Sequence, residues 1–191
     1  MPHNGASSSG EGRVLIEIGS RRGGFLAHLA ERNPDAECIG IEYRATWARE
    51  ARESARRRGL DNLRYICADA REVVRHLLMP EEVDEVYVLF PDPWHKKRHL
   101  PRRLLQPGFL RDLSRIMKRG APLYILTDIA DYARCIERDL LEVADLEPLP
   151  ESLWPDESDW GPSRKDRYPR LPEEVVIRVF RRRPVHLAAG S

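Results

Sequence analysis

From Val14 to Asp128 the chain repeats one pattern: a short apolar run, an acid at or just past its end, then a segment whose apolar residues recur at helical spacing. Short apolar runs bounded by turn formers read as strands buried on both faces, and the helical stretches between them supply the crossovers that parallel strands require. Strands are predicted over residues 14–18, 38–41, 63–67, 86–90 and 123–126, with Glu17, Glu42, Asp69, Asp92 and Asp128 at or beside their carboxyl ends. Helices are predicted over 25–33, 47–58, 73–78, 109–117 and 132–141, the second closed by Gly59. Successive β/α units of this kind imply an α/β fold with a Rossmann-like, doubly wound, mostly parallel sheet.

Past the fifth unit, residues 146–160 are acidic and Pro-containing and read as a loop or sheet edge. Trp154 and Trp160 in that stretch either pack the edge or line a cleft. Residues 163–170 read as a polar, basic insertion, and 175–180 as a last strand whose Arg181, Arg182 and Arg183 form a solvated end. One domain is expected over 13–183, preceded by a disordered Ser- and Gly-rich segment over 1–12 and followed by a tail over 184–191. Cys38, Cys67 and Cys135 are isolated in sequence, so neither a disulfide framework nor a zinc site is expected, and they read as reduced packing residues. With no membrane-length apolar run and no leader pattern, the expectation is a cytoplasmic protein without a membrane partner.

The formal net charge of +1 gives no global attraction for polyanions, so any nucleic-acid footprint must be local. Such a cluster follows the fourth strand: Pro91, Asp92, Pro93, Trp94, His95, Lys96, Lys97, Arg98 and His99, continued by Arg102 and Arg103. The two prolines fix φ on both sides of Asp92 and remove two backbone donors, which sets the carboxylate on a stiff turn at a strand end, where ligands of open α/β sheets bind. An acid, a stacking plane and a dense cationic run suit a base beside phosphates. A charge run alone reads as a solvated helix start, with Asp92 as a turn cap; the tight Pro-Asp-Pro-Trp frame tips the reading toward a nucleic-acid active site. His95 and His99 have helical metal-ligand spacing but no third ligand, and no metal is assigned.

Strand-end acids are costly to desolvate without donors or cations, so a row of them suggests a ligand rich in donors. Capping of the following helices accounts for one or two. A nicotinamide dinucleotide is disfavoured, because the first turn lacks Gly-x-Gly-x-x-Gly and a pyrophosphate would be repelled. S-adenosylmethionine, with its ribose, adenine, ammonium and sulfonium, fits the acids better.

On these residues the chain resembles the bacterial tRNA (guanine-N7)-methyltransferase family, Rossmann-like enzymes that use S-adenosylmethionine to methylate guanine 46 in the tRNA variable loop. The resemblance runs from about Val14 to Arg181 and is carried above all by Phe90 through His99, with Arg102, Arg103, Leu104, Gln106, Pro107, Thr127 and Asp128. It implies cofactor binding by Glu17, Gly19, Glu42, Asp69 and Asp92, with Asp92 also catalytic. It implies substrate contacts from Lys96 and Asp128, and the cationic run itself, Lys96, Lys97, Arg98, Arg102 and Arg103, is expected to hold the tRNA phosphates. The family's late Thr-x-aromatic-Glu motif falls loosely on Ser163 to Asp166, giving Ser163 and Asp166 as further substrate residues. The implied partner is tRNA, with no protein partner beyond a monomer or homodimer.

Two departures stand out. The basic N-terminal arm of the family is nearly absent, and Arg21 stands where the middle glycine of the Glu-x-Gly-x-Gly-x-Gly turn belongs. An arginine there is strained by about 1–3 kcal/mol if φ is positive. That leaves two rivals: a non-catalytic tRNA-binding relative whose cofactor pocket Arg21 has closed, and a methyltransferase with another substrate.

Overall fold

In the computed structural model, residues 12–154 and 176–184 are described, and everything below refers to them. The strands are β1 Val14–Ile18, β2 Glu37–Glu42, β3 Leu63–Cys67, β4 Glu85–Leu89, β5 Pro122–Thr127, β6 Leu146–Pro148 and β7 Val176–Arg182. The helices are α1 Gly24–Arg32, α2 Ala45–Arg57, α3 Ala70–His76, α4 Pro107–Ile116 and α5 Ala130–Leu141. They build one sheet of order β3-β2-β1-β4-β5-β7-β6. β1 to β5 run parallel, and β7 runs antiparallel between β5 and β6. The expected doubly wound sheet is therefore present, and the order reverses direction at β1/β4, the switch point where such sheets open a crevice.

Alternation along the strands feeds two cores. Ile16, Ile18, Val86, Val88, Leu123 and Ile125 pack with α3, α4 and α5, while Leu15, Cys38, Tyr87, Leu89, Tyr124 and Leu126 fall in the cluster with α1 and α2. On this second face α2 buries only Ala48, Ala51 and Ala55, which lets the helix sit close to the sheet. Burial pushes the Cys38 thiol up to about 12, so it is an inert packing group.

Two open alternatives are resolved and two expectations need correcting. Within the stretch read as a loop or sheet edge, residues 146–148 form a short edge strand, because β7 offers them a partner. Trp154, half-buried, donates its indole N–H to the Leu149 carbonyl at 2.8 Å and so packs the edge; Trp160 lies outside the described residues. Of the three arginines expected as a solvated end, only Arg183 is exposed. Arg182 is 7% exposed and donates to the Met117 carbonyl at 2.5 Å, while Arg181 and Arg183 both pair with Glu147. Cys67, read as a packing residue, is exposed because β3 is the sheet's outer strand.

Candidate functional site

The parallel strands carry all five acids to one edge of the sheet. Glu17 and Glu42 are buried within β1 and β2, Asp69 and Asp128 are half-buried just past β3 and β5, and Asp92 is exposed past β4. Backbone amides occupy Glu42 and Asp69. Glu42 accepts the backbone amides of Arg21 at 2.8 Å and Arg44 at 2.7 Å, one on each oxygen, and so ties the loop after β1 to the loop after β2. Asp69 is the N-cap of α3, accepting from the Arg71 amide at 2.8 Å. Each carboxylate oxygen keeps a further acceptor direction.

The turn after β1 is built by left-handed backbone. Gly19, Arg21 and Gly23 take φ of 75°, 49° and 77°, so Arg21 does adopt the strained conformation its position threatened. The cost is offset locally: its amide reaches Glu42, and its guanidinium lies 4.9 Å from the centroid of Trp47 on α2, whose ring Arg44 also covers at 4.3 Å. Arg21 is thus drawn toward α2. Below the turn lies Tyr65, whose hydroxyl donates to the Gly23 carbonyl at 3.0 Å and is raised well above the ordinary phenol range by burial first and the Glu17 carboxylate next. Tyr43, beside Glu42, is 76% exposed. Trp47, Tyr65 and Tyr43 escaped the sequence reading; the only signal was an aromatic residue placed close to each turn acid.

Removing the Trp47 ring should free Arg21 and loosen the turn. We expect Trp47→Ala to weaken binding of S-adenosylmethionine about 3–10-fold by calorimetry, and to do so by less when Arg21→Gly has already relieved the strain. Additive losses would separate the stack from the turn.

At the end of β4 the strand stops one residue earlier than predicted, at Leu89. Phe90 and Trp94 both have positive φ, 52° and 41°, bracketing Pro91, Asp92 and Pro93. Non-glycine residues held in this region concentrate where function requires it. The loop is braced from three sides. Arg103 donates Nε to the Pro93 carbonyl at 2.7 Å and lays its guanidinium 4.6 Å from the centroid of Tyr132. Arg71 donates to the Arg103 carbonyl at 2.9 Å, and Gln106 donates to the carbonyls of Pro101 and Arg103 at 2.9 and 2.8 Å. Burial pushes the Tyr132 phenol up to about 12 despite the opposing charge of Arg103.

Asp92, Pro93, Trp94, His95, Lys96 and His99 line a cleft of about 360 Å³. Trp94 packs edge-on to His99 at 5.5 Å and is flanked by Arg102 at 5.3 Å. Asp92 and Asp128 receive no side-chain hydrogen bond or ion pair from the described residues. Lys96, Arg98 and Arg102 are exposed, whereas Arg103 is half-buried and turned inward as a strut. Ser163 and Asp166 lie outside the described residues. So the turn acids, Asp92 and the exposed cations share one edge, and Arg103 braces them from behind.

The sequence profile of a family described as "Putative methyltransferase" matches residues 11–165. The chain is 35% identical over 174 residues to a tRNA (guanine-N(7)-)-methyltransferase of Methylobacillus flagellatus, covering 88% of this chain and 71% of that protein. The chain belongs to the bacterial tRNA (guanine-N7)-methyltransferase family. A further relative in this family, the tRNA (guanine-N(7)-)-methyltransferase of Burkholderia vietnamiensis, is 37% identical over 176 residues, covering 92% of this chain and 63% of its own length. The chain thus spans less than two thirds of that relative. Among solved structures, TrmN from Thermus thermophilus superposes with a TM-score of 0.64 at 17% identity over 90% of this chain and 44% of that one. The aminoglycoside resistance methyltransferase NpmB1 does so with 0.59 at 20% identity, over 89% and 87%. Both likenesses establish the fold.

Proposed function

We propose that the chain transfers a methyl group from S-adenosylmethionine to N7 of a variable-loop guanine in tRNA. The observation that carries this reading is the Asp92 loop: a carboxylate held by two prolines and two left-handed residues, opening on a cleft with Trp94 and Lys96, at the same sheet edge as Glu17, Glu42 and Asp69. The names of its relatives point to the same reaction.

In this reading the cofactor's ribose hydroxyls approach Glu42, its adenine lies by Tyr43 and Asp69, and Gly19 allows close approach of the turn. Glu17 and Asp92 balance the cationic ammonium and sulfonium. Guanine N7 carries a lone pair and no proton, so the reaction needs no general base, and alignment of N7 with the methyl group dominates. Asp92, with Asp128, accepts from the guanine N1 and N2 hydrogens and so orients the ring. Lys96, Arg98 and Arg102 hold phosphates. Arg103 acts on the substrate through the loop it braces, and Ser163 and Asp166 contribute from the late motif. Against the rival with a closed cofactor pocket stands the contact of the Arg21 guanidinium with Trp47, which draws it toward α2.

Incubation of the chain with unmodified tRNA and methyl-labelled cofactor, followed by nucleoside analysis, should yield 7-methylguanosine. Cofactor binding without that product would refute the substrate, and no binding at millimolar cofactor would favour the non-catalytic relative.

A further inference from the structure

Between Arg44 and Arg58 the chain places six arginines against two glutamates, although its formal net charge is only +1. The pattern has a direction. Arg49, Arg52 and Arg56 stand at i, i+3 and i+7 on α2, beside rather than on the face that buries Ala48, Ala51 and Ala55. Arg52 donates Nε to the Tyr65 carbonyl at 3.0 Å, which fixes this flank over β3, the outer strand of the sheet. From Arg49 to Arg56 the row extends for about 10 Å along the helix axis.

Among the described residues outside the Lys96–Arg102 run, many charges are balanced: Arg75 pairs with Asp112, Arg134 with Asp131, Arg138 with Asp139 and Arg178 with Glu137. On α2 Glu50 is taken by Arg22, and just past the helix Arg58 pairs with Glu31. Arg49, Arg56 and Arg57 are exposed and form no ion pair with a described residue. Like charges one helical turn apart repel one another, and Glu53, the one acid of α2 that no described residue pairs, offsets only part of this, so the row gains from an anion that follows the helix. At its upper end α2 joins Arg44 and Trp47, which reach the cofactor turn.

We infer that the arginine flank of α2 is a second docking surface, which grips the phosphate backbone of the RNA whose guanine enters the Asp92 cleft. The inference rests on the reading of tRNA as substrate and adds a surface separate from the Lys96–Arg102 run. Two cationic shelves at different points of the sheet would hold a folded RNA at two places and fix its orientation, which one short run cannot do.

The test uses the whole chain, unmodified tRNA and a salt series. Arg49→Gln, Arg56→Gln and Arg57→Gln together should weaken tRNA binding about 10-fold or more near physiological salt and flatten the slope of log K against log salt by about 2. A control of equal charge change, Arg111→Gln with Arg134→Gln and Arg138→Gln, should move affinity by less than about threefold. Equal losses in both variants, or none in the first, overturn the surface. Nucleoside analysis separates this from the catalytic reading: 7-methylguanosine formed by the parent chain with unaltered binding of the first variant sinks the docking surface alone. RNA affinity lost in that variant, with no methylation by the parent, sinks the reaction alone. A parent chain that does not bind tRNA sinks both.

Discussion

Asp92→Ala is expected to reduce methyl transfer at least about 100-fold while leaving tRNA affinity within about threefold. The carboxylate is exposed, receives no side-chain hydrogen bond or ion pair from the described residues, and sits on a loop whose shape is set by Pro91, Pro93 and the left-handed Phe90 and Trp94. Its removal therefore breaks no hydrogen bond or ion pair with a described residue, and the melting temperature should hardly move. What is lost is an acceptor aimed into the cleft, so the effect belongs to alignment of the guanine and to the charge near the sulfonium. Asp92→Asn keeps the shape but presents a donor where an acceptor is wanted, and should fall almost as far as the alanine variant. Single-turnover methylation measures the first quantity and filter binding the second. A parallel loss of both would make Asp92 a docking group and return catalysis to another residue.

How far such a site can be read from sequence depends on what each residue's chemistry reveals before folding. Strand positions and the edge that gathers Glu17, Glu42, Asp69, Asp92 and Asp128 follow from apolar runs ending in acids, and the structure keeps all of these ends together. The β4 boundary slipped by one residue because Phe90 is apolar, which periodicity counts as strand, yet its φ of 52° takes it out of the ladder. Long cationic side chains were the least legible. Sequence gives their charge but not their direction, so the bond from Arg103 to the Pro93 carbonyl was not announced, and Arg181, Arg182 and Arg183, read as a solvated end, are paired. Glu42 shows a related gap: its partners in the chain are backbone amides of Arg21 and Arg44, which no side-chain pattern announces.

Gly40→Ala is expected to cost substantial stability, although Gly40 has an ordinary backbone. A Cβ at Gly40 would lie 2.3 Å from Cδ1 and 2.5 Å from Cε1 of Tyr65, and 2.9 Å from the Ser20 hydroxyl. Tyr65 has little room to yield, since it is 6% exposed and its hydroxyl is committed to the Gly23 carbonyl. Overpacking of this kind costs about 1–3 kcal/mol or more, and in a chain of this size each kcal/mol lowers the melting temperature by about 2–4 °C. The displaced ring also pushes on Gly23 and Ser20, so cofactor affinity should fall with stability, which separates this site from a clash elsewhere in the core. Tyr65→Leu in the Gly40→Ala background makes room for the methyl group and should recover part of the melting temperature, while Tyr65→Leu alone destabilises by opening a cavity. A double-mutant cycle by thermal denaturation reads the coupling directly. Additive effects at Gly40 and Tyr65 would mean that the ring does not support the cofactor turn through this contact.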